Sequence, residues 1–575
     1  MKQYISIAIL LLLSQAGYTQ YLNWAYALGE NNHRSQAFSV ATDANGDVYT
    51  VGLFEGYMDF DPGTDSVIMT SSAYGNSFIL RTDANSNFKE VTMLGTGSKS
   101  VAGVIKIDAS GNKIIAGYFT GWNVDFDPDS TTQYALNEDG SGNNAYLLKL
   151  DATGTLLWAR NWNYNRDDGA NEEGPSMTLD ASGNIICAGY YAGNVDFDPD
   201  TSQFFMNATQ ENGYISKFDG NGKLLWAKQI EADTAQYKFV KITSVTADPS
   251  GNIFVGGHFV GKTDFDPDTT VKYEITAMSM LAFVLKLDAN GKFIWVKKIG
   301  KDNANPLINF NKTNAVLADA NGNVYATGSF METANLDNIT LTSNGYSDIF
   351  VTKIDALGNF IWAKTAGSFY DGEYGYRMTF DKQNNLIVSG IFHSTIYFDG
   401  KYCSSNGLED IFVTKMAPSG GIIWVASYGG STTKFERIQG ICVDGNSIYS
   451  VGRLVGTVNF DPNGIYNVTA SSIYTNYRDF FIQKMSDGTT AISEKEKLAA
   501  IIYPNPATTN ITIDFPNPYS KEAMLSIYDL QGRKLISKPI KHHSNIDVSR
   551  LPKGLYMVNI VTQDATASQK LTITN

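Results

Sequence analysis

The feature that most constrains this chain is a pattern that keeps returning, because self-similarity at a fixed period commits a sequence to stacked units that share one core. It reads DANGDVYTVGLF at Asp43–Phe54, DASGNKIIAGYF at Asp108–Phe119, DASGNIICAGYY at Asp180–Tyr191 and DPSGNIFVGGHF at Asp248–Phe259. It continues as DANGNVYATGSF at Asp319–Phe330, DKQNNLIVSGIF at Asp381–Phe392 and a shortened DGNSIYSVGRL at Asp444–Leu454, returning about every 68 residues. A second motif alternates with it: KLDATGTLLW from Lys149 to Trp158, KFDGNGKLLW from Lys217 to Trp226, KLDANGKFIW from Lys286 to Trp295 and KIDALGNFIW from Lys353 to Trp362. A looser copy runs from Lys415 to Trp424, with partial ones at Arg81–Phe88 and Lys484–Gly488.

Short alternating apolar runs bounded by Asp, Asn and Gly are the mark of hairpins. Each unit reads as four strands. Strand A precedes the Asp-x-x-Gly turn (Phe38–Thr42, Ser244–Ala247), and strand B follows it (Val48–Leu53, Ile253–Gly257). Strand C carries the repeated lysine (Tyr146–Leu150, Phe283–Leu287), and strand D carries the tryptophan (Leu156–Arg160, Phe293–Lys297). Four-stranded antiparallel units repeated radially make an all-β fold, a seven-bladed β-propeller. The last unit stops at Gly488 without a Trp strand, whereas the chain begins with an orphan NWAYALG at Asn23–Gly29. The expectation is that this N-terminal strand closes the last blade and removes an exposed edge. Gly 52 against Pro 15, with Tyr 32 and Phe 31, suits many strands joined by tight turns.

The ends read differently. Lys2 and the apolar run Ile5–Leu13 form a signal peptide, residues 1–20, too short to span a bilayer. The propeller is expected over 21–488, a charged linker over 489–500 and a small immunoglobulin-like β-sandwich over 501–575. No later segment approaches a transmembrane length, and the mature chain is expected to be a monomer. Three cysteines cannot build a disulfide framework. The formal charge of -14 sits in the repeats, which would repel a phosphate backbone and argues against nucleic acid.

The DxxGN and KLDxxGxxxW units resemble the bacterial β-propeller repeat family of secreted and surface proteins over residues 21–488. The order YPNP, YDLQGR, IDVSxLPKGLY and a terminal KLTI strand resembles the type A sorting domain of the type IX secretion system. Its matching positions are Tyr503, Pro504, Asn505, Pro506, Gly532, Arg533, Gly554 and Tyr556. That resemblance implies a Gram-negative bacterium, Sec export and recognition by the type IX machinery and its sorting protease. It further implies release from the cell or attachment at the outer-membrane surface.

A residue present in every unit belongs to the scaffold, since one reaction needs its catalytic groups once. Function is therefore expected on the rim that carries the unequal B–C and D–A connections, where a glycan or protein ligand would meet Trp162, Tyr164, Arg166, Asp168, Tyr370, Asp371, Tyr374 and Arg377. The leading expectation is a non-enzymatic binding or adhesion module with no cofactor. The alternative is a polysaccharide-active hydrolase or lyase using loop carboxylates such as Asp168, Asp371 and Glu373. The B–C connections repeat an acidic alternation: Asp125, Asp127 and Asp129; Asp196, Asp198 and Asp200; Asp264, Asp266 and Asp268. That spacing suits calcium ligands, and it equally suits Asx turns that end a short strand.

Overall fold

A computed structural model of the chain describes residues 19–574 except 130, 138–142, 164–173, 199–201, 234–237, 304–309, 370–371, 431–435, 465, 472–477, 489–495, 498–499, 515–522, 530–533, 542 and 562–564. The expected signal peptide lies outside these residues, apart from its last two. The chain divides into two compact units, residues 20–487 and 488–575, the second grouped with the N-terminal segment 1–19.

The larger unit is a β-propeller. Its strands form five four-stranded sheets and one eight-stranded sheet, and the latter comprises two successive repeats. Those two repeats fuse because Glu231 and Ala232 at the end of one pair with Asp264 and Thr263 of the next. Within a repeat the order is A-B-C-D, as in Ser35–Thr42, Val48–Phe54, Asn76–Thr82 and Phe88–Leu94. The innermost strands are Ser35–Thr42, Ser100–Ile107, Ser176–Leu179, Phe239–Ala247, Lys312–Ala318, Tyr374–Phe380 and Arg437–Asp444; each touches the next, and the last touches the first. The ring therefore closes around a central channel.

Closure uses the N-terminal strand as expected. Thr19–Leu28 forms the outer strand of the last sheet, beside Asp479–Gly488. Trp24 then does what its counterparts do. Its Nε1 donates to the carbonyl of Ala84 in the first repeat at 3.2 Å, just as Trp295 donates to Ala356 at 3.2 Å and Trp362 to Pro418 at 3.1 Å. The motif lysine reaches the same turn: Lys286 Nζ donates to Ala356 O at 3.0 Å and Lys484 Nζ to Ala84 O at 2.8 Å. The tryptophan rings also lie over the turn glycines of the following repeat, so a Cβ on Gly358 would stand 3.2 Å from Trp295. KLDxxGxxxW is thus a clasp, each copy gripping the hairpin of its neighbour.

The Asp of the first motif is consumed in its own turn. Asp381 Oδ1 accepts from the backbone N–H of Gln383 and Asn385 at 2.9 and 2.7 Å, and Oδ2 takes Lys415 Nζ at 2.6 Å. Burial works against the charged form, yet the Lys415 and Asn385 hydrogen bonds hold this carboxyl below the usual range.

Strand B carries a glycine that the motif left unexplained. A Cβ on Gly257 would sit 2.1 Å from Lys241 O, and one on Gly328 would sit 1.8 Å from Lys312 O. The glycine lets strand A press against strand B, and opposite it strand A carries a β-bulge, between Ile242 and Ser244 and between Thr313 and Ala315. The same irregularity recurs between Ala37 and Ser39, Ala102 and Val104, Gly375 and Arg377, and Ile438 and Gly440.

The B–C connections are more ordered than a bare Asp-Pro turn. Five repeats add a two-stranded ribbon there, such as Thr333–Leu336 with Ile339–Thr342, and the fused pair simply lengthens strands B and C. The phenylalanine of the DFDP segment is a core plug. Phe126 lies 4.5 Å from Tyr146, Phe197 4.9 Å from Tyr214 and Phe265 5.0 Å from Phe283, ring to ring. All three plugs are fully buried.

The C-terminal unit has a five-stranded and a three-stranded sheet. Ile511, Ile513, Leu525, Ile527, Val558, Ile560 and Leu571 pack in its core.

Candidate functional site: the central channel

The bulges decide what faces the channel. A bulge adds one residue to a strand and re-aims its side chain. The extra residues Phe38, Gly103, Thr243, Asn314, Tyr376 and Gln439 all line a cavity of about 780 Å³ on the propeller axis. Several latch neighbouring repeats: Thr243 Oγ1 donates to Thr313 O at 2.5 Å and Asn314 Nδ2 to Gly375 O at 2.9 Å. Arg377 Nε donates to Gln439 O at 2.6 Å.

The charge of this cavity runs against that of the chain. Lys106, Lys241, Lys312, Arg377, Arg437, Arg453 and Arg478 line it, and no Asp or Glu does among the described residues. Lys241, Lys312 and Arg437 stand in the leading parts of their strands, the ends that follow the D–A connections, and Arg377 stands mid-strand, just past its bulge. Arg453 pairs across from Arg437, His258 pairs across from Lys241, and Arg478 directly precedes a strand C, which places all three at that same rim. Lys106 lies toward the other end.

Among the described residues two of these bases meet carboxylates. Lys241 meets Glu211 at 2.8 Å and Arg437 meets Glu409 at 4.0 Å, and neither acid lines the cavity. Lys241 also lies 4.4 Å from the centre of the Tyr190 ring, and Arg437 lies 5.4 Å from that of Tyr376. Burial, helped by the Lys241 ammonium, lowers the pKa of Lys312. Burial first, then Lys312 and Lys241, holds His258 well below the ordinary histidine value, so its ring is neutral. Its buried Nδ1 has no hydrogen-bond partner among the described residues, and neither does the buried Oε1 of Gln439.

The sequence-predicted ligand residues divide. Arg377 lines the cavity, and Tyr374 stacks on the lining residue Tyr376 with centroids 6.0 Å apart. Trp162 must be corrected. It is a core residue, 2% exposed, on the strand Leu156–Asn163, stacked on Phe218 at 5.7 Å. Its place in the alternation turns it inward, away from any loop. Tyr164, Arg166, Asp168, Tyr370 and Asp371 lie outside the described residues. Glu373 is fully buried and accepts from Ser368 Oγ at 2.6 Å; burial pushes its pKa up to about 7.

The acidic alternation of the B–C connections forms a staircase of Asx turns. Asp264 Oδ1 accepts from the N–H of Asp266 and Tyr273, Asp266 from Asp268, and Asp268 from Thr270. Asp125, Asp127 and Asp129 repeat it through the N–H groups of Asp127, Tyr134, Asp129 and Thr131. Asp196 accepts from Asp198 and Phe204, while Asp200 lies outside the described residues. No three of these carboxylates converge as metal ligands would among the described residues.

In the C-terminal unit the YPNP segment is tied to the last strand. Asn505 Nδ2 donates to Lys570 O at 2.6 Å, and Asn505 Oδ1 accepts from Thr572 N–H at 2.9 Å. Tyr556 donates its hydroxyl to Pro552 O at 2.6 Å, just before Gly554. Gly532 and Arg533 lie outside the described residues. Residues 501–574 match the family described as the secretion system C-terminal sorting domain. The C-terminal unit is a sorting domain. It marks the chain as cargo of the type IX secretion system, delivered outside the cell or to its surface.

The propeller has more distant likenesses. An uncharacterized WD repeat-containing protein of Acanthamoeba polyphaga mimivirus is 23% identical over 403 residues, 56% of this chain, and the match spans 27% of that protein's length. Drosophila Semaphorin 2a matches at 8% identity and a TM-score of 0.36, covering 97% of this chain and 99% of that one. A protein of unknown function from Dyadobacter fermentans matches at 12% and 0.33, covering 82% and 99%. A polysaccharide lyase, ulvan lyase, matches at 8% and 0.34, covering 72% and 95%. The architecture rests on the strand order above.

Proposed function

We propose that the exported propeller is a non-enzymatic binding or adhesion module whose ligand enters the central channel from the rim carrying the B–C and D–A connections. The observation that supports this reading is the division of labour between the rims. The recurring Asp, Lys, Gly and Trp are spent on turns and clasps, whereas the channel lining differs from repeat to repeat and encloses a cavity of ligand size, about 780 Å³. Tyr190, Phe239, Tyr376, Thr243 and Asn314 offer ring faces and hydrogen-bonding groups there.

The test is a glycan and protein array probed with the purified full chain, with each hit followed for turnover. Stoichiometric binding without product supports the reading. Release of product from a bound glycan would refute it in favour of a polysaccharide-active enzyme. Delivery is tested separately: removing residues 501–575 should leave the protein in the periplasm, and undiminished surface display or release would count against export through this domain.

A further inference from the structure

The unresolved property of that ligand is its charge, and the channel speaks to it. A chain of formal charge -14 has gathered Lys241, Lys312, Arg377, Arg437, Arg453 and Arg478 toward one mouth of its axial cavity, from four different repeats. Half-buried bases of one sign around one cavity repel one another, and low-dielectric walls focus their field toward the opening. Resting on the binding-module reading, we propose that this mouth is a receptor for an anionic glycan, a sugar chain bearing carboxylate or sulfate groups.

Three observations carry it. Lys312 forms no ion pair among the described residues; the charge that bears on it is the Lys241 ammonium, a repulsion that an incoming anion would relieve. Among the described residues no carboxylate lines the cavity, and Glu211 and Glu409, which meet Lys241 and Arg437, are not part of the lining. The third concerns the rest of the ligand. Gln439 Oε1 is a buried acceptor without a donor among the described residues, and Thr243, Asn314 and the Tyr190 and Tyr376 rings line the same cavity. An anion alone satisfies the bases and leaves that acceptor empty, whereas sugar hydroxyls supply donors to it.

The size fits a chain end. About 780 Å³ falls within the range that encloses a small ligand, so the receptor would take a terminal stretch of an oligosaccharide. The acidic exterior then acts as a filter, disfavouring long polyanions that would have to lie along the surface.

The experiment titrates the full chain calorimetrically with four probes at low salt. These are an oligogalacturonate, a sulfated neutral oligosaccharide, the methyl ester of the oligogalacturonate and a polyglutamate peptide. Binding of the first or second, weakening as salt rises, with the ester at least tenfold weaker, is expected. The first two arms separate carboxylate from sulfate as the recognised group. Lys312→Gln should weaken binding roughly tenfold while Lys312→Arg restores it. The melting temperature of Lys312→Gln should not fall, because burial already disfavours that charge. Equal affinity for the methyl ester would overturn the assignment, as would polyglutamate binding as tightly as oligogalacturonate. A neutral glycan or protein bound instead would overturn it and leave the binding-module reading standing. Cleavage of a bound acidic oligosaccharide would do the reverse, keeping the anionic receptor and removing the non-enzymatic role.

Discussion

The two rims of the propeller are built from the same strands and obey different rules. On the tight-turn rim the recurring Asp and Lys of the motifs pair with one another, such as Asp180 with Lys217 at 2.9 Å, Asp108 with Lys149 at 3.0 Å and Asp381 with Lys415 at 2.6 Å. At the opposite rim, among the described residues, the channel lining collects bases and no acid, and Glu211 and Glu409, which meet two of them, are not part of the lining. The lesson is that repetition spends the same polar groups in the same way in unit after unit, and departure from repetition gives the channel lining its own chemistry. Net charge hid this, because the acidic turns and ribbons outweigh the basic mouth.

If the tight-turn rim is scaffold, damage there should cost stability. The largest effect is expected for Lys415→Ala, which strands the Asp381 carboxylate in a pair only 3% and 4% exposed. A loss of about 3–5 kcal/mol, read as a lower urea midpoint, is the expectation. A variant as stable as the parent would show that these pairs are dispensable. Next comes Gly328→Ala, whose Cβ would meet Lys312 O at 1.8 Å. It should cost about 2–4 kcal/mol and perturb the bulge beside the channel, so ligand affinity should fall with stability.

A third substitution sharpens the contrast at the other rim. Folded Glu373 has its pKa raised by burial to about 7, above its ordinary 4.5. The contribution to stability is present below the ordinary value and lost as pH rises through about 7. Glu373→Gln should therefore gain about 2–3 kcal/mol over the parent near pH 8 and nothing near pH 4, measured as urea midpoints. An equal gain at both pH values would rule out the titration. The smallest effect concerns the ribbons. Because Asp264, Asp266 and Asp268 already accept backbone N–H groups, millimolar calcium should leave the melting temperature unchanged, and a rise of several degrees would reopen the metal reading.

Much of this was legible in the residues. The period, the four-strand unit, the use of Trp24 to complete the last sheet and the sorting tail all follow from spacing, because hairpins and turn chemistry are local. The candidate site was only partly legible. Arg377 ends a loop-like stretch and lines the channel, but Trp162, which adjoins one, is buried against Phe218. Nothing in the local pattern sets Lys241, Lys312, Arg437 and Arg453 apart, because their common cavity exists only in the closed ring. A signal for them existed in the strand B glycines, such as Gly257 and Gly328, which mark where a neighbouring backbone presses close.

The sequence by itself therefore determined the unit, its strand order, its clasp and its address, since each depends on residues a few positions apart. The tertiary structure alone decided the site. Bases on strands separated by scores of residues face one axis only when the ring closes, and whether they face it depends on the bulge in each inner strand. A bulge reverses the alternation of side chains beyond it, and that reversal is set by close backbone packing rather than by the local pattern.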